Sequence, residues 1–360
     1  MTEALRQRNP AVDIAKGIAM LLVIYGHALG LFFEPASRDV QAAALPQLRF
    51  IYSFHMPLFF LLSGMVFRAR SLRESVRRSL SLLLTAYLVH VVCWIAEPLL
   101  TGQPPTVAGL LLPMLRLRGF HSVIVWFLAS LALVQLAYFV LASYGDRVRW
   151  PLLLALLGGF AWSQRAGSTL LQLQSVLPGL AFFALGHALA RTDIGAWVRG
   201  RRWPLALAGL CVAWWMSGQN GGCALQPAGR CDNIPGGFVA LMIAGQYGFL
   251  PWFGQAAVIG SLAVVSSAWV VAEHLPGLAS ALSWIGRRSL QLLVVNGLVI
   301  FFLHPLVEGR LGQPDMATAV GLSLALTGVQ LMAAYGMGGI TSAPLRLARY
   351  LADKMVVTKA

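Results

Sequence analysis

The segment from Asp13 to His27 reads DIAKGIAMLLVIYGH, and it decides how the rest of the sequence is interpreted. It belongs to an apolar run long enough to cross a bilayer as a helix, yet it carries a carboxylate, an ammonium and an imidazole. At 100° per residue, Lys16 lies about 20° from His27 around a helix, and Asp13 lies about 40° from it. The three groups share one stripe, with His27 roughly 16 Å deeper than Lys16. Because ionisable groups in a membrane usually face a protein interior or a wet cavity, the stripe predicts a polar path through a bilayer.

The overall composition is that of a membrane protein. Of 360 residues, 58% are hydrophobic and only 11% are charged, and the mean hydropathy is +0.71. A soluble domain has about a quarter charged residues. We predict an all-α polytopic integral membrane protein with a single domain, residues 1–360, made of a core at 10–340 and a cytoplasmic tail at 341–360. The net charge of +14 is interpreted as a topology signal, and no nucleic-acid binding is expected.

About ten transmembrane helices are predicted. Phe238–Ala272 could cross once or twice, because Pro251 and Gly254 interrupt it. If it crosses once and both termini are cytoplasmic, 20 of the 27 Lys and Arg residues lie inside, which the positive-inside rule favours. The candidate spans are Ile14–Phe33, Phe50–Phe67, Leu80–Ala96, Val123–Ala142, Leu152–Trp162, Val176–Ala190, Pro204–Ser217, Phe238–Ala272, Leu290–His304 and Ala317–Tyr335.

The outer side is expected to carry irregular structure. Phe238–Pro251 is predicted to be partly a re-entrant or outer-surface segment, since irregular backbone at depth is tolerated when protein covers it. The Gly-rich loop before it contains Cys223 and Cys231. An oxidising exterior favours a disulfide between these two cysteines.

A second informative stretch, residues 53–65, reads SFHMPLFFLLSGM. His55 and Pro57 are expected near the outer end of the second span. Ser63 and Gly64, near its inner end, would let another backbone or a thin ligand approach closely. Taken alone, these features are typical of a proline-shaped helix start and a packing notch. The Arg-rich run that begins at Arg68 is typical of a topology signal and a lipid contact, and it would equally suit the phosphates of a nucleotide-bearing donor.

These two stretches resemble a known family. Asp13-x-x-Lys16-Gly17, followed after ten residues by His27, is similar to the first-helix motif of the membrane acyltransferase 3 family, and SFHMPLFF with Ser63-Gly64 is similar to its second-helix motif. The lysine at 16 and the Gly26-His27 pair resemble the branch that is similar to fucose 4-O-acetylases. Later landmarks of the resemblance are Trp126-Phe127-Leu128, Pro178 with Phe183 and Gly186, and the run Ile285-Gly286-Arg287-Arg288-Ser289-Leu290.

The resemblance implies an enzyme that moves an acyl group, most often acetyl, from cytoplasmic acyl-CoA to an envelope glycan. Acetyl-CoA would be the cosubstrate, and no metal is expected. The implied location is the bacterial cytoplasmic (inner) membrane. The implied partners are a glycan or lipid-linked oligosaccharide acceptor, membrane lipids, and proteins of envelope-polysaccharide assembly.

The chemistry assigns roles to the polar residues of the first two helices. A sugar hydroxyl needs a base, and histidine titrates closest to neutral pH, so His27 is the expected general base. Asp13 is the expected ion partner of Lys16. Lys16 and Arg68 would hold the phosphates of CoA. An oxyanion donor is also required, and Ser63, His55 or Tyr25 could supply it.

Two acceptor-site candidates are Arg49, which the topology puts at the outer mouth, and Glu34, one heptad beyond His27. The family commonly has a histidine in the helix after the Gly-x-x-Ser-Leu phrase, whereas here the nearby polar residue is Asn296, which could hydrogen-bond a sugar. Glu97 is a weaker acceptor candidate, and the remaining histidines are expected to be structural or interfacial. Whether the acyl group rests on His27 before reaching the sugar is left open.

Two other functional classes remain at this point. A secondary transporter that exports a glycan or lipid-linked sugar would also explain intramembrane Asp, Lys and His as an ion path, although no pair of similar halves is visible. A glycan-binding envelope scaffold would make the deep charges dispensable.

Overall fold

The computed structural model describes residues 10–33, 35–68, 71–143, 158, 170–191, 193–310 and 313–357. The described residues form helices and no β-strands. Two 3₁₀ turns lie at Leu170–Gln172 and Met242–Ala244. In chain order the helices are α1 (Pro10–Phe33), α2 (Arg38–Met65), α3 (Leu72–Thr101), α4 (Val107–Arg116), α5 (Val125–Ser143), α6 (Leu173–Leu189), α7 (Asp193–Gly200), α8 (Arg202–Gln219), α9 (Leu250–His274), α10 (Pro276–Arg287), α11 (Ser289–Arg310), α12 (Met316–Gly336), α13 (Gly338–Thr341) and α14 (Ala343–Val357).

Eight of these described helices are long and apolar enough to cross a membrane: α1, α2, α3, α5, α6, α9, α11 and α12. The prediction of an all-α polytopic membrane protein is therefore confirmed. The count of about ten spans stays a prediction. Candidate span Leu152–Trp162 lies outside the described residues except for position 158, and Pro204–Ser217 falls in α8, which has 18 residues and is not among the eight.

The first helix lies at the centre of the bundle. It packs against α2, α9, α10, α11 and α12, and Ile14, Met20 and Ile24 are fully buried. Its crossing with α10 is close, because a Cβ at Gly17 would lie 2.1 Å from the backbone oxygen of Leu282. This crossing fixes the inner end of the motif-bearing helix.

The start of α2 differs from the prediction. The helix begins at Arg38 rather than at Phe50, and it continues through Pro46 and Pro57. Polar side chains lower the hydropathy of its first turns, but a neighbouring backbone satisfies one of them: Gln41 Nε2 donates to the Phe33 carbonyl at 3.3 Å. Consequently His55 lies well inside the helix rather than near its start.

The two ends of the bundle can be identified from contacts between helix termini. Arg77 near the start of α3 forms an ion pair with Asp353 of α14 at 2.9 Å. The predicted tail thus contains a helix that packs on α3. We call this end, where Lys16 and Arg68 also lie, the inner end, following the positive-inside prediction.

The outer end is covered by residues 220–249, which we call the outer segment. It contains no α-helix, and the predicted disulfide joins Cys223 to Cys231. Asn220 ties its two ends together, because its side chain donates to the Tyr247 carbonyl at 2.8 Å and accepts from the Phe249 amide at 3.0 Å. One helix, α9, follows it, so the prediction that Phe238–Ala272 contains an irregular part and one crossing helix is confirmed.

Candidate active site: two cavities beside the first helix

A chamber of about 110 Å³ lies beside the deep end of the α1 stripe. We call it the His27 chamber. Its polar side chains are His27, Tyr52 and His55, and most of the remaining wall is apolar, including Trp126 and Phe127 just after the start of α5. Residues 240–243 of the outer segment line it as well. The chamber therefore places a histidine at a mainly apolar cavity.

The imidazole of His27 is held by a partner far away in sequence. Its Nδ1 lies 2.6 Å from Oδ1 of Asn296 on α11. The Asn296 amide nitrogen in turn donates to Oε1 of Gln330 on α12 at 3.0 Å. Both amide residues are fully buried. With Nδ1 engaged in this way, Nε2 is the ring nitrogen left for chemistry in the chamber.

The other polar groups of the chamber come from α2. The Nδ1 of His55 donates to the Ile51 carbonyl at 2.7 Å, so neutral His55 carries no proton on Nε2 and cannot donate from it. The Tyr52 ring lies near both histidines, with its centroid 6.3 Å from that of His27 and 5.0 Å from that of His55. Gly26 lies against this part of α2, since a Cβ there would lie 3.1 Å from the Ile51 side chain.

A second cavity, of about 160 Å³, lies at the inner end. We call it the inner cavity. Lys16, Arg68 and Arg78 line it together with Ser63 and Glu74. Arg78 is paired with Glu74 at 3.0 Å, so the cavity keeps an excess of positive charge. Such a site fits the phosphate groups of a ligand.

The two cavities are stacked along the same pair of helices. Lys16 of α1 and Ser63 of α2 line the inner cavity. His27 of α1 and His55 of α2 line the His27 chamber. Phe59 lies one helical turn from each of the two α2 residues, and its ring packs against Phe127 at 5.8 Å. Because α1 is helical from Pro10 to Phe33, Lys16 and His27 share a face of it as predicted.

Several predicted site residues lie elsewhere. Tyr25 does not line the His27 chamber, and its hydroxyl donates to Gln47 at 2.7 Å. Ser63 lies in the inner cavity, two helical turns from His55, with its hydroxyl donating to the Phe59 carbonyl at 2.8 Å. Neither residue is placed to stabilise an oxyanion beside His27.

The remaining predicted residues have mainly structural surroundings. Arg49 donates from Nε to the Phe238 carbonyl at 2.9 Å and so holds the outer segment. The space over Gly64 is filled by the α6 backbone, because a Cβ there would lie 1.9 Å from the Phe183 oxygen. Asp13 is buried where α1 crosses α10. Glu34 lies outside the described residues.

The residues that sequence reasoning missed are Tyr52 and Gln330, together with the orienting contact of Asn296. Tyr52 directly precedes the second motif, so its neighbourhood was a usable signal. Gln330 lies in an otherwise ordinary apolar helix, and no local pattern connects it with His27. The contact between His27 and Asn296 joins positions 269 residues apart.

A separate network ties the segment after α4 to α3. His121 Nδ1 lies 3.1 Å from His90 Nδ1, and His121 Nε2 lies 3.0 Å from a Glu97 carboxylate oxygen. His90 Nε2 donates to the Leu110 carbonyl at 3.2 Å. None of the three lines the His27 chamber, so their contacts are consistent with the structural role expected for the histidines.

Comparisons with known proteins identify the family. A family model described as an acyltransferase domain, that of the acyltransferase 3 family, matches residues 9–334. Nodulation protein NolL of Sinorhizobium fredii is 33% identical over 89 residues, which are 25% of this chain and 24% of that protein, so this likeness spans about a quarter of each. No solved structure matches the chain. Since the family model covers most of the sequence, including both motif-bearing helices, this membrane protein belongs to the acyltransferase 3 family.

Proposed function

We propose that the protein transfers an acyl group, most simply acetyl, from cytoplasmic acyl-CoA to a hydroxyl of an envelope or exopolysaccharide glycan. It would do so in the bacterial inner membrane, on a glycan or lipid-linked oligosaccharide supplied by polysaccharide assembly. The observation that carries the proposal is the His27 chamber, in which a buried amide holds Nδ1 of the histidine and leaves Nε2 for proton transfer. The inner cavity, with its excess of cations, supports a phosphate-bearing donor at the opposite end of the stripe.

His27 acts as the base in this proposal. Its Nε2 takes the proton of the sugar hydroxyl, and the oxygen attacks the thioester carbonyl. A C–O bond forms and the C–S bond breaks, after which Nε2 returns the proton to the departing thiolate. The mainly apolar wall excludes water, which would otherwise compete with the sugar for the acyl group.

Lys16 and Arg68 are proposed to hold the donor phosphates. We expect Lys16→Ala and Arg68→Ala each to raise KM for acyl-CoA about tenfold with a smaller change in kcat, because the phosphates are remote from the reacting carbonyl. Lys16→Arg should stay within about threefold of wild type, since the charge and the donors are kept. Initial rates against acyl-CoA concentration measure both constants.

Arg349→Ala is the matched control for the inner side, because this arginine is exposed on α14 and does not line the inner cavity. An unchanged KM in both cavity variants, or an equal rise in Arg349→Ala, would remove the phosphate-binding role.

Tyr52 is proposed as the oxyanion donor, because its side chain lies beside both histidines and neutral His55 lacks a proton on Nε2. We expect Tyr52→Phe to lower kcat about 10- to 100-fold with little change in KM for acyl-CoA. Tyr25→Phe is the control, since this hydroxyl bonds to Gln47 outside the chamber. Equal rates for Tyr52→Phe and wild type would assign the oxyanion to another group.

The function itself is tested with purified protein in nanodiscs, using acetyl-CoA labelled in the acetyl group and a glycan fraction from a strain that lacks the gene. The expected result is label in the glycan that depends on both substrates, and glycan mass spectra that differ by one acetyl group between strains with and without the gene. Movement of glycan across the membrane without acyl-CoA, and no labelled product, would instead support the secondary transporter.

A further inference from the structure

The amides of Asn296 and Gln330 form a chain that ends on His27 and links three helices. Gln330 Oε1 accepts from Asn296 Nδ2 at 3.0 Å, and Asn296 Oδ1 faces His27 Nδ1 at 2.6 Å. Both amide side chains are completely buried. Polar groups buried in a membrane protein cost free energy and are usually functional. A functional role is therefore expected for these two linked amides.

The chain has a direction, because an amide offers donors at one end and an acceptor at the other. With its nitrogen turned to Gln330, Asn296 presents only an oxygen to the histidine. Nδ1 must then carry the proton of neutral His27, and Nε2 keeps its lone pair. When Nε2 takes up a second proton, Nδ1–H still donates to the same oxygen, so no side chain has to turn during a proton-transfer cycle.

If the Asn296 amide were turned by 180°, His27 would lose its free lone pair on Nε2. An Asn296 nitrogen against Nδ1 would force the proton onto Nε2, and that tautomer cannot accept a proton in the chamber. Within the described residues, Nε2 of Gln330 is buried without a hydrogen-bond partner. Gln330 is thus held by its oxygen alone, at the expense of an unsatisfied donor, and a leucine would fill the same space without that cost.

A neutral partner also suits the location. A carboxylate at this position would add an ionised group to the membrane interior and would favour the imidazolium form of His27 at rest. An imidazolium cannot act as a base. An amide orients the ring and leaves it neutral until a hydroxyl arrives.

From these contacts we infer that Asn296, supported by Gln330, is a positioning residue that keeps the proton of neutral His27 on Nδ1 and so reserves Nε2 as the base. The inference rests on the proposed function in assigning catalysis to His27. The tautomer itself is a property of the protein without substrates, so it can be tested separately.

The first experiment measures the tautomer by ¹⁵N NMR of protein labelled in histidine, without donor or acceptor, with His27→Gln used to assign the His27 signals. Wild type should show an Nδ1–H tautomer at neutral to alkaline pH. Asn296→Leu should shift the population toward Nε2–H, whereas Asn296→Asp should keep Nδ1–H. A wild-type His27 with its proton on Nε2 overturns the inference, whatever the enzyme's activity.

The second experiment measures the pH–rate profile. Asn296→Leu should lower kcat roughly 100-fold and leave KM for acyl-CoA unchanged. Asn296→Asp should move the acidic limb of the profile to higher pH, since a carboxylate stabilises the protonated ring. Wild-type kcat and tautomer in Asn296→Leu overturn the inference while leaving the proposed function intact. Failure of the His27 assignment would instead appear as unimpaired transfer by His27→Gln, and failure of the proposed function as no labelled glycan with the wild-type protein.

Gln291→Leu is the matched control for a buried amide on the same helix. Its Nε2 donates to the Ala334 carbonyl at 3.2 Å and to Thr341, and it does not contact His27. It should change neither the tautomer nor the profile. If Asn296→Leu does not fold, Gln330→Leu gives the same test, because it leaves Asn296 in place but allows its amide to turn. We then expect both tautomers of His27 and a loss of kcat of about tenfold. An unchanged tautomer and an unchanged rate would overturn the inference.

Discussion

His27→Ala is expected to lower acyl transfer to the glycan by at least about 100-fold, to background, while the protein still inserts and folds. A sugar hydroxyl is too weakly acidic to attack a thioester unaided, and His27 is the residue whose free ring nitrogen faces the chamber in our proposal. The side chain is only partly buried, so its removal leaves little unsatisfied around it apart from the Asn296 oxygen. The measurement is transfer of labelled acetyl in nanodiscs, with KM for acyl-CoA determined in parallel.

Two further variants make the result interpretable. His27→Gln keeps a polar side chain and the packing but has no titratable nitrogen, so it should be as inactive as His27→Ala. His274→Ala removes an exposed histidine at the end of α9, beside Trp203 and Glu273, and should leave the rate unchanged. Near-wild-type transfer by His27→Ala would refute the general-base assignment, whereas no transfer by the wild-type protein itself would leave the envelope-scaffold interpretation standing.

The membrane helices could be predicted because their signal is local. Length and hydropathy identify a spanning segment without knowledge of its neighbours, and the stripe of α1 follows from helix geometry alone. The disulfide between Cys223 and Cys231 was also within reach, since its cysteines are close in sequence and lie in one Gly-rich loop.

The start of α2 could not be read in the same way. Gln41, Gln47 and Arg49 lower the hydropathy of its first turns, and Pro46 and Pro57 are ordinary breaking signals. In the folded protein these polar side chains find partners in α1 and in the outer segment, at Phe33, Tyr25 and Phe238. Tertiary contacts of that kind decide whether a polar stretch stays helical, and hydropathy does not contain them.

In the candidate site, too, features with a local sequence signal could be predicted and features set by tertiary contacts could not. Lys16 and His27 could be identified because they lie on one helix, but the orienting partner of His27 comes from α11 and its support from α12. The oxyanion candidates were chosen by residue type, and two of the three, Ser63 and Tyr25, lie outside the chamber. The sequence alone does not show how far along α2 the chamber lies or in which direction the Tyr25 side chain points. From the sequence, Asn296 was interpreted as a departure from the family, whereas the structure shows its contact with His27.

The later family landmarks were weak as sequence signals, yet they form the closest helix crossings. Gly286 packs against the backbone of Asp13, so the landmark at 285–290 meets the first motif. Gly186 packs against Leu61 and Gly64 packs against Phe183, so another landmark meets the second motif. Small residues at such crossings let backbones approach closely.

Gly64→Ala is therefore expected to lower the stability of the protein by about 3 kcal/mol, which corresponds to a fall in Tm of roughly 5 to 10 °C. The new Cβ would lie 1.9 Å from the Phe183 oxygen and 3.1 Å from the amide nitrogen of His187. These are backbone atoms of a packed helix, so no side-chain rotation relieves the clash and α2 and α6 must separate. Because Ser63 and Phe183 both line the inner cavity, KM for acyl-CoA should rise as well.

The reciprocal variant tests the crossing from its other side. Gly186→Ala would bring a Cβ to 1.9 Å from the Leu61 oxygen, and it should destabilise to a similar degree. In the double variant one separation of the helices relieves both clashes, so its loss should be smaller than the sum of the single losses. Gly254→Ala on α9, where a Cβ meets nothing within 4 Å, should be neutral or slightly stabilising. Thermal unfolding in detergent, followed by size-exclusion fluorescence, compares the four variants with wild type, and a Gly64→Ala protein as stable as wild type would contradict this helix crossing.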